Sequence, residues 1–169
     1  ADPLSLAQAS QLLWAAQGIS DPEKGHRTVP SAGALYPLEI YLVAVRIAEL
    51  PPGIYHYVPQ GHKLLGVTAG DFREALGKAA YKQASLQEAP AVIVIAAVYE
   101  RTAVKYGERG PRFVHMEAGH AGQNVCLQAV AQGLSTVMVG GFEDAAVKKA
   151  LNLPAEHEPL YLIPVGRKK

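Results

Sequence analysis

Two apolar runs constrain this chain more than anything else in it. Residues 38–46, Leu-Glu-Ile-Tyr-Leu-Val-Ala-Val-Arg, are largely apolar on both faces of an extended chain, which places them inside a sheet. Residues 91–98 follow Pro90 as a β-branched run and read as a central strand. Residues 54–58 and 63–67, separated by Pro59-Gln60-Gly61-His62, read as a hairpin, and residues 135–139 and 160–165 as further strands. Ser5 caps a first helix with Leu6, Leu12, Leu13 and Ala16 on its apolar face; Trp14 reads as core. Residues 72–83, 113–132 and 143–151 read as helices, and residues 99–112 as a charged loop. The longest helix is rich in small residues, Ala118, Gly119, Ala121 and Gly122, which permit close approach of another helix. Strands and helices in this order argue for an α+β class.

Composition narrows the function. A chain of 169 residues suits one domain, residues 1–169, with a substantial core. A net charge of +1 argues against nucleic acid or an anionic membrane as the main partner. Cys126 is the sole cysteine, so no internal disulfide or CxxC motif exists, and it reads as a small buried apolar residue. The six histidines are scattered, and His115 and His120 on one helix stand five apart, so no metal site is expected. No apolar run reaches the roughly 18 residues of a membrane helix. The chain begins Ala-Asp-Pro, which fits a processed or excised start. A cytoplasmic location is expected, with export left open.

The segment that feeds the first buried strand carries the chemistry. Residues 26–37 read His-Arg-Thr-Val-Pro-Ser-Ala-Gly-Ala-Leu-Tyr-Pro. Pro30 and Pro37 bias Val29 and Tyr36 away from helix, and Gly33 lets backbone approach a planar ligand closely. Such a loop can present N–H groups, the Ser31 hydroxyl and the Arg27 cation together, which suits an anionic or heterocyclic ligand. It can equally be a turn that delivers the chain into the strand.

The run from Pro30 to Tyr41 resembles the signature of the SagB/ThcOx-type branch of the nitroreductase family, which binds FMN. The likeness continues through Gly53-Ile54-Tyr55-His56-Tyr57, Lys105-Tyr106-Gly107-Glu108-Arg109-Gly110 and His115-Met116-Glu117-Ala118-Gly119-His120. It ends with Val139-Gly140-Gly141-Phe142 and Pro159-Leu160-Tyr161-Leu162-Ile163-Pro164-Val165-Gly166. The blocks fall in the family's order over nearly the whole chain. The resemblance implies the FMN-dependent nitroreductase-like fold, a mixed, mostly antiparallel sheet flanked by helices.

It also implies roles for residues. Pro30, Ser31, Ala32, Gly33, Ala34 and Tyr36 would pack against the flavin ring and ribityl chain, with Arg27 meeting either phosphate or the pyrimidine edge. Val139, Gly140 and Gly141 would offer backbone N–H near flavin N5. Gln83 resembles a position near the flavin, although a solvated helix-end glutamine fits as well. Lys105 and Tyr106 correspond to a pair implicated in proton removal in azoline-oxidising members; alternatively they belong to a solvated loop. His115, Glu117 and His120 read as interface or hydrogen-bonding residues.

The family's Arg-Arg-Ser-type phosphate segment would lie upstream of Ala1; Arg167 with Lys168 and Lys169 would substitute for it, or else form a frayed basic tail. The implied activity is two-electron transfer through FMN from NAD(P)H to a small nitro, quinone or similar acceptor, in a homodimer with FMN at the subunit interface. Dehydrogenation of an azoline in a heterocycle-containing peptide is the alternative reading. A flavin-binding module with little turnover is a third.

Overall fold

The computed structural model describes residues 2–167. Helix α1 spans Leu6–Gln17. It starts at a reciprocal cap in which the Ser5 hydroxyl accepts the Gln8 N–H and the Gln8 side chain accepts the Ser5 N–H; such a cap is worth about 1 kcal/mol. A two-stranded ribbon, β1 (Ile19–Asp21) and β2 (His26–Arg27), leads into the 26–37 segment.

The main sheet has six strands in the order β5-β4-β3-β6-β8-β7: β3 Leu38–Ala44, β4 Gly53–Val58, β5 Lys63–Ala69, β6 Ala91–Ala97, β7 Ser135–Thr136 and β8 Glu158–Gly166. Every adjacent pair in it is antiparallel. The two apolar runs sit side by side as β3 and β6, with Leu38 opposite Ala97 and Ala44 opposite Ala91. All seven residues of β6 are buried, because helices cover both faces. On one face Leu38, Ile40, Leu42, Ile93 and Ile95 pack with α1 and with α5, the 22-residue helix Gly110–Ala131. On the other, Tyr41, Val43, Val92 and Val94 pack with α2 (Arg73–Ala79), α3 (Ala84–Glu88) and α6 (Asp144–Leu151). The α+β expectation and its antiparallel sheet are borne out.

Five local expectations need correction. Residues 72–83 do not form one helix: the chain leaves α2 at Ala79, and Tyr81 (φ 53°) and Lys82 (φ 60°) reverse it so that α3 packs back. Residues 99–112 are not a loop but helix α4, Tyr99–Tyr106, followed by a 3-10 turn into α5. Glu100, Arg101, Ala103 and Lys105 are good helix formers, and Thr102 anchors the inner face at 0% exposure. Strand β7 stops at Thr136, and Val139 returns only as an isolated bridge to Leu162. Trp14 is 38% exposed rather than core; its indole lies over Gly18, where a Cβ would come within 2.3 Å of it. Cys126 is half-buried.

The small residues of α5 divide between two faces. Ala118, Ala121 and Gly122 point inward, and a Cβ on Gly122 would sit 2.4 Å from Met138 Cε. Gly119 opens outward with nothing within 4 Å, on the side that also exposes Met116, Leu127 and Val130.

Candidate functional site

The loop before β3 is held by its own side chains. The Ser31 hydroxyl accepts the Tyr36 N–H at 2.9 Å, and the Ala32 N–H donates to Glu117 Oε1 at 2.8 Å, pinning the loop to α5. Gly33 (φ 64°), Ala34 (φ 54°) and Tyr36 (φ 47°) all adopt left-handed backbone around the 3-10 turn Ala32–Ala34. For Ala34 and Tyr36 that is a strained conformation, which the surrounding bonds must hold. Gly33 has a further reason to lack a side chain. A Cβ there would lie 3.0 Å from Lys105 Nζ and 3.1 Å from the Tyr106 hydroxyl.

The last turn of α4 thus delivers Lys105 and Tyr106 onto the loop. Lys105 is exposed, with Nζ 5.6 Å from the centre of the Tyr106 ring, and Tyr106 meets Phe113 edge-on at 4.8 Å. Arg101, one turn earlier, donates to the Tyr36 carbonyl at 3.2 Å and pairs with Glu39 at 2.5 Å. Glu39 also bonds His56 Nε2 at 2.6 Å, and His56 stacks on Tyr41, whose hydroxyl meets His157 Nδ1 at 2.7 Å. Burial pushes the Glu39 carboxyl up, but His56 and Arg101 outweigh it and hold its pKa below the usual value. For Glu117 the balance runs the other way. Burial lifts its pKa above the ordinary carboxylate value, against the Ala32 N–H and the Ser31 hydroxyl, and its Oε2 has no hydrogen-bond partner.

Arg27 stacks its guanidinium 4.4 Å from the centre of the Tyr36 ring and donates to Gln17 Oε1 at 2.8 Å. Eight of the residues expected at the site therefore form one neighbourhood: Arg27, Ser31, Ala32, Gly33, Ala34, Tyr36, Lys105 and Tyr106. Pro30 enters it exposed.

A second group forms elsewhere. Val139 exchanges both backbone hydrogen bonds with Leu162, so its N–H is consumed in the sheet, whereas Gly140 and Gly141 are exposed, with nothing within 4 Å of a Cβ on Gly141. Gln83 reaches this turn, its Nε2 donating to the Gly141 carbonyl at 3.5 Å. Val139 belongs to the face of the sheet covered by α2, α3 and α6, while the Ser31 loop is bonded to α5 on the other. Arg167 stands apart from both. It follows the end of β8 that pairs with Ala91, opposite the end where Glu158 and Leu38 meet Ala97. It lines a cavity of about 370 Å³ with Ser85, Thr136 and Pro164.

Sequence reading missed the Arg101–Glu39–His56 chain and the role of Glu117 as the loop's anchor. The charges of Arg101 were visible, but helix α4, which aims them, was not. Among the described residues no cluster of three or more His, Cys, Asp or Glu side chains could hold a metal, and no helix is long and apolar enough to cross a membrane.

An antiparallel sheet covered on both faces by helices is an architecture shared with solved nitroreductase-type proteins. The nitroreductase family model matches residues 1–167, and the chain belongs to that family of oxidoreductases. It is 46% identical over 166 residues to the nitroreductase-type protein MJ1384 of Methanocaldococcus jannaschii, covering 98% of this chain and 82% of that one. It is 31% identical over 167 residues to the microcin B17-processing protein McbC of Escherichia coli, covering 89% of this chain and 57% of McbC. The structure of the E. coli microcin synthetase McbBCD complex superposes with a TM-score of 0.87 at 29% identity, over 99% of this chain and 65% of the matched one. A nitroreductase-type protein from Anabaena variabilis gives the same TM-score at 27% identity, but this chain spans only 35% of it. The nitroreductase-family resemblance read from the motifs is thereby borne out. The NADPH:FMN oxidoreductase of Vibrio harveyi shares the fold at a TM-score of 0.68 and 20% identity.

Proposed function

We propose that this chain binds FMN and carries two electrons between a reduced nicotinamide and a small acceptor such as a nitro compound or quinone. The observation that carries this reading is the fit of Gly33 against Lys105 and Tyr106, where the absence of one Cβ leaves a backbone platform beside an amine and a phenol. FMN, when bound, supplies the hydride-accepting and hydride-donating chemistry. The chain's part is to present the platform of Ser31, Ala32, Gly33 and Ala34 to a planar ring, and to offer unhindered backbone N–H at Gly140 and Gly141. Tyr36, braced by Arg27 and Arg101, holds the loop's exit, and Lys105 and Tyr106 stand where a proton is exchanged with substrate.

The two groups of residues lie on opposite faces of one sheet, which favours a site built from two copies: the Ser31 loop of one and the Gly140-Gly141 turn of the other. The outward stripe of α5, with Gly119 at its centre, supplies an apolar face for that pairing. In this arrangement the Arg167 guanidinium serves as the phosphate ligand.

A second reading has its own support. Similarity to McbC and to the trifolitoxin-processing protein TfxB of Rhizobium leguminosarum favours azoline dehydrogenation on a peptide, with Lys105 or Tyr106 removing the ring proton. The visible spectrum of the purified protein, identification of any chromophore released by acid, and anaerobic addition of NADH or NADPH test both readings. Released FMN that nicotinamide bleaches supports the reductase. Released FMN that only an azoline peptide reduces supports the dehydrogenase. A colourless protein that takes up no added FMN overturns both.

A further inference from the structure

Against the start of β3 and the end of β4 lies a cavity of about 290 Å³ whose charged and amide lining is Gln17, Arg27, Glu39, His56, Gln60 and Arg101. Its charges do not balance. Glu39 is already shared between Arg101 and His56, and Arg27 makes no ion pair among the described residues. Two guanidinium groups thus face one carboxylate. The other carboxylate within electrostatic reach of Arg27 is Glu117, which is engaged with the Ala32 N–H.

Gln17 is the second anomaly. It is 1% exposed, and its Oε1 accepts from Arg27 at 2.8 Å. Arginine only donates, so the amide orientation is forced and the NH₂ is left as a donor. That Nε2 is buried without a hydrogen-bond partner. A buried unpaired amide donor costs on the order of 1–3 kcal/mol, and it lies in the wall of the cavity that holds the uncompensated cation. Burial also draws the Arg27 pKa below its ordinary value, against the opposing pull of Glu39.

We propose that this cavity is a binding site for a compact monocarboxylate, whose oxygens take the Gln17 amide and the free N–H groups of Arg27. A planar two-oxygen group matches a planar amide set beside a planar guanidinium, and a single negative charge matches the single charge in excess. The volume is at the small end of ligand sites, which limits the occupant to a small acid or the acid end of a larger molecule. The site shares Arg27 with the flavin reading, in which that residue meets phosphate or the pyrimidine edge, but none of its geometry involves Gly33, Lys105 or the Gly140-Gly141 turn.

Calorimetric titration of the full chain with benzoate, and separately with inorganic phosphate, tests this. Benzoate is expected to bind once per chain. Gln17→Glu places a carboxylate where Arg27 already reaches, so it should weaken benzoate by roughly tenfold or more without lowering Tm. Arg27→Gln should weaken benzoate equally, which covers the case in which the first variant folds poorly. Absence of benzoate binding, unchanged binding in both variants, or tighter binding of phosphate than benzoate overturns the proposal. It is also overturned if Gln17→Glu weakens FMN while leaving riboflavin unaffected, because the anion would then be the flavin's own phosphate.

Discussion

Gly33 and Lys105, 72 positions apart in the chain, are fitted so closely that a single carbon on the first would touch the second, at 3.0 Å from its Nζ. Two separate demands fall on Gly33. Its φ of 64° disfavours any side chain, and the space a Cβ would fill is already taken by the Lys105 amine and the Tyr106 hydroxyl. Gly33→Ala should therefore lower stability by about 1–2 kcal/mol and displace the Lys-Tyr pair. Thermal melts and FMN titration of the variant check this. An unchanged Tm with unchanged FMN affinity would show that the contact is incidental.

Lys105 and Tyr106 border the loop without holding it together, since the loop's own bonds run to Tyr36, Glu117 and Arg101. Removing them should spare the fold and the flavin while slowing proton transfer. Lys105→Ala and Tyr106→Phe are expected to retain FMN within about twofold and to lose on the order of 10²-fold or more in turnover. Stopped-flow oxidation and reduction half-reactions separate the two effects. Normal turnover in both variants would remove the pair from the chemistry.

How much of this was legible in the sequence differs by element. Strands β3 and β6 were, because burial on both faces leaves a continuous apolar run, and so was α5. Helix α4 was not, because its composition is that of a solvated segment and only Thr102 and Tyr106 mark its inner side. The residues of the loop could be read as a unit since they are adjacent. The separation of Ser31 from Gly141 by the thickness of the sheet could not, because nothing local encodes which face a turn emerges on. Gln17, Arg27, Glu39 and His56 meet from four different elements and share no spacing that would have grouped them.

Glu117 links the loop to α5, and its protonation should register in stability. Its pKa in the folded protein is raised, with burial as the main cause. The native state then holds this proton more tightly than the unfolded chain does, so the contribution is fully present below the unfolded carboxyl value and is lost as pH rises through the folded one. Glu117→Gln keeps an oxygen for the Ala32 N–H and carries no charge. It should match the wild type in acid and be the more stable of the two at pH 8. Glu117→Ala leaves the Ala32 N–H without its partner and should cost about 1–3 kcal/mol at any pH. Denaturant melts of the three proteins across pH 4.5–8 decide this; parallel pH profiles for wild type and Glu117→Gln would contradict it.

The outward face of α5 makes the strongest demand on a second copy of the chain. Met116, Leu127 and Val130 are 46%, 61% and 73% exposed and lie along one side of a 22-residue helix, with Gly119 opening the same side to close approach. Such a face is suited to a self-complementary contact. If the flavin site needs the Ser31 loop and the Gly140-Gly141 turn from different copies, then breaking the contact must break flavin binding at a distance. Leu127→Arg combined with Val130→Glu touches neither group of site residues. The pair should convert the protein to monomers in light-scattering chromatography and weaken FMN by roughly 10²-fold, about 2.7 kcal/mol, with the monomer still folded by circular dichroism. A folded monomer that binds FMN as tightly as the wild type would place the whole site within one chain, and the two-copy arrangement would have to be abandoned.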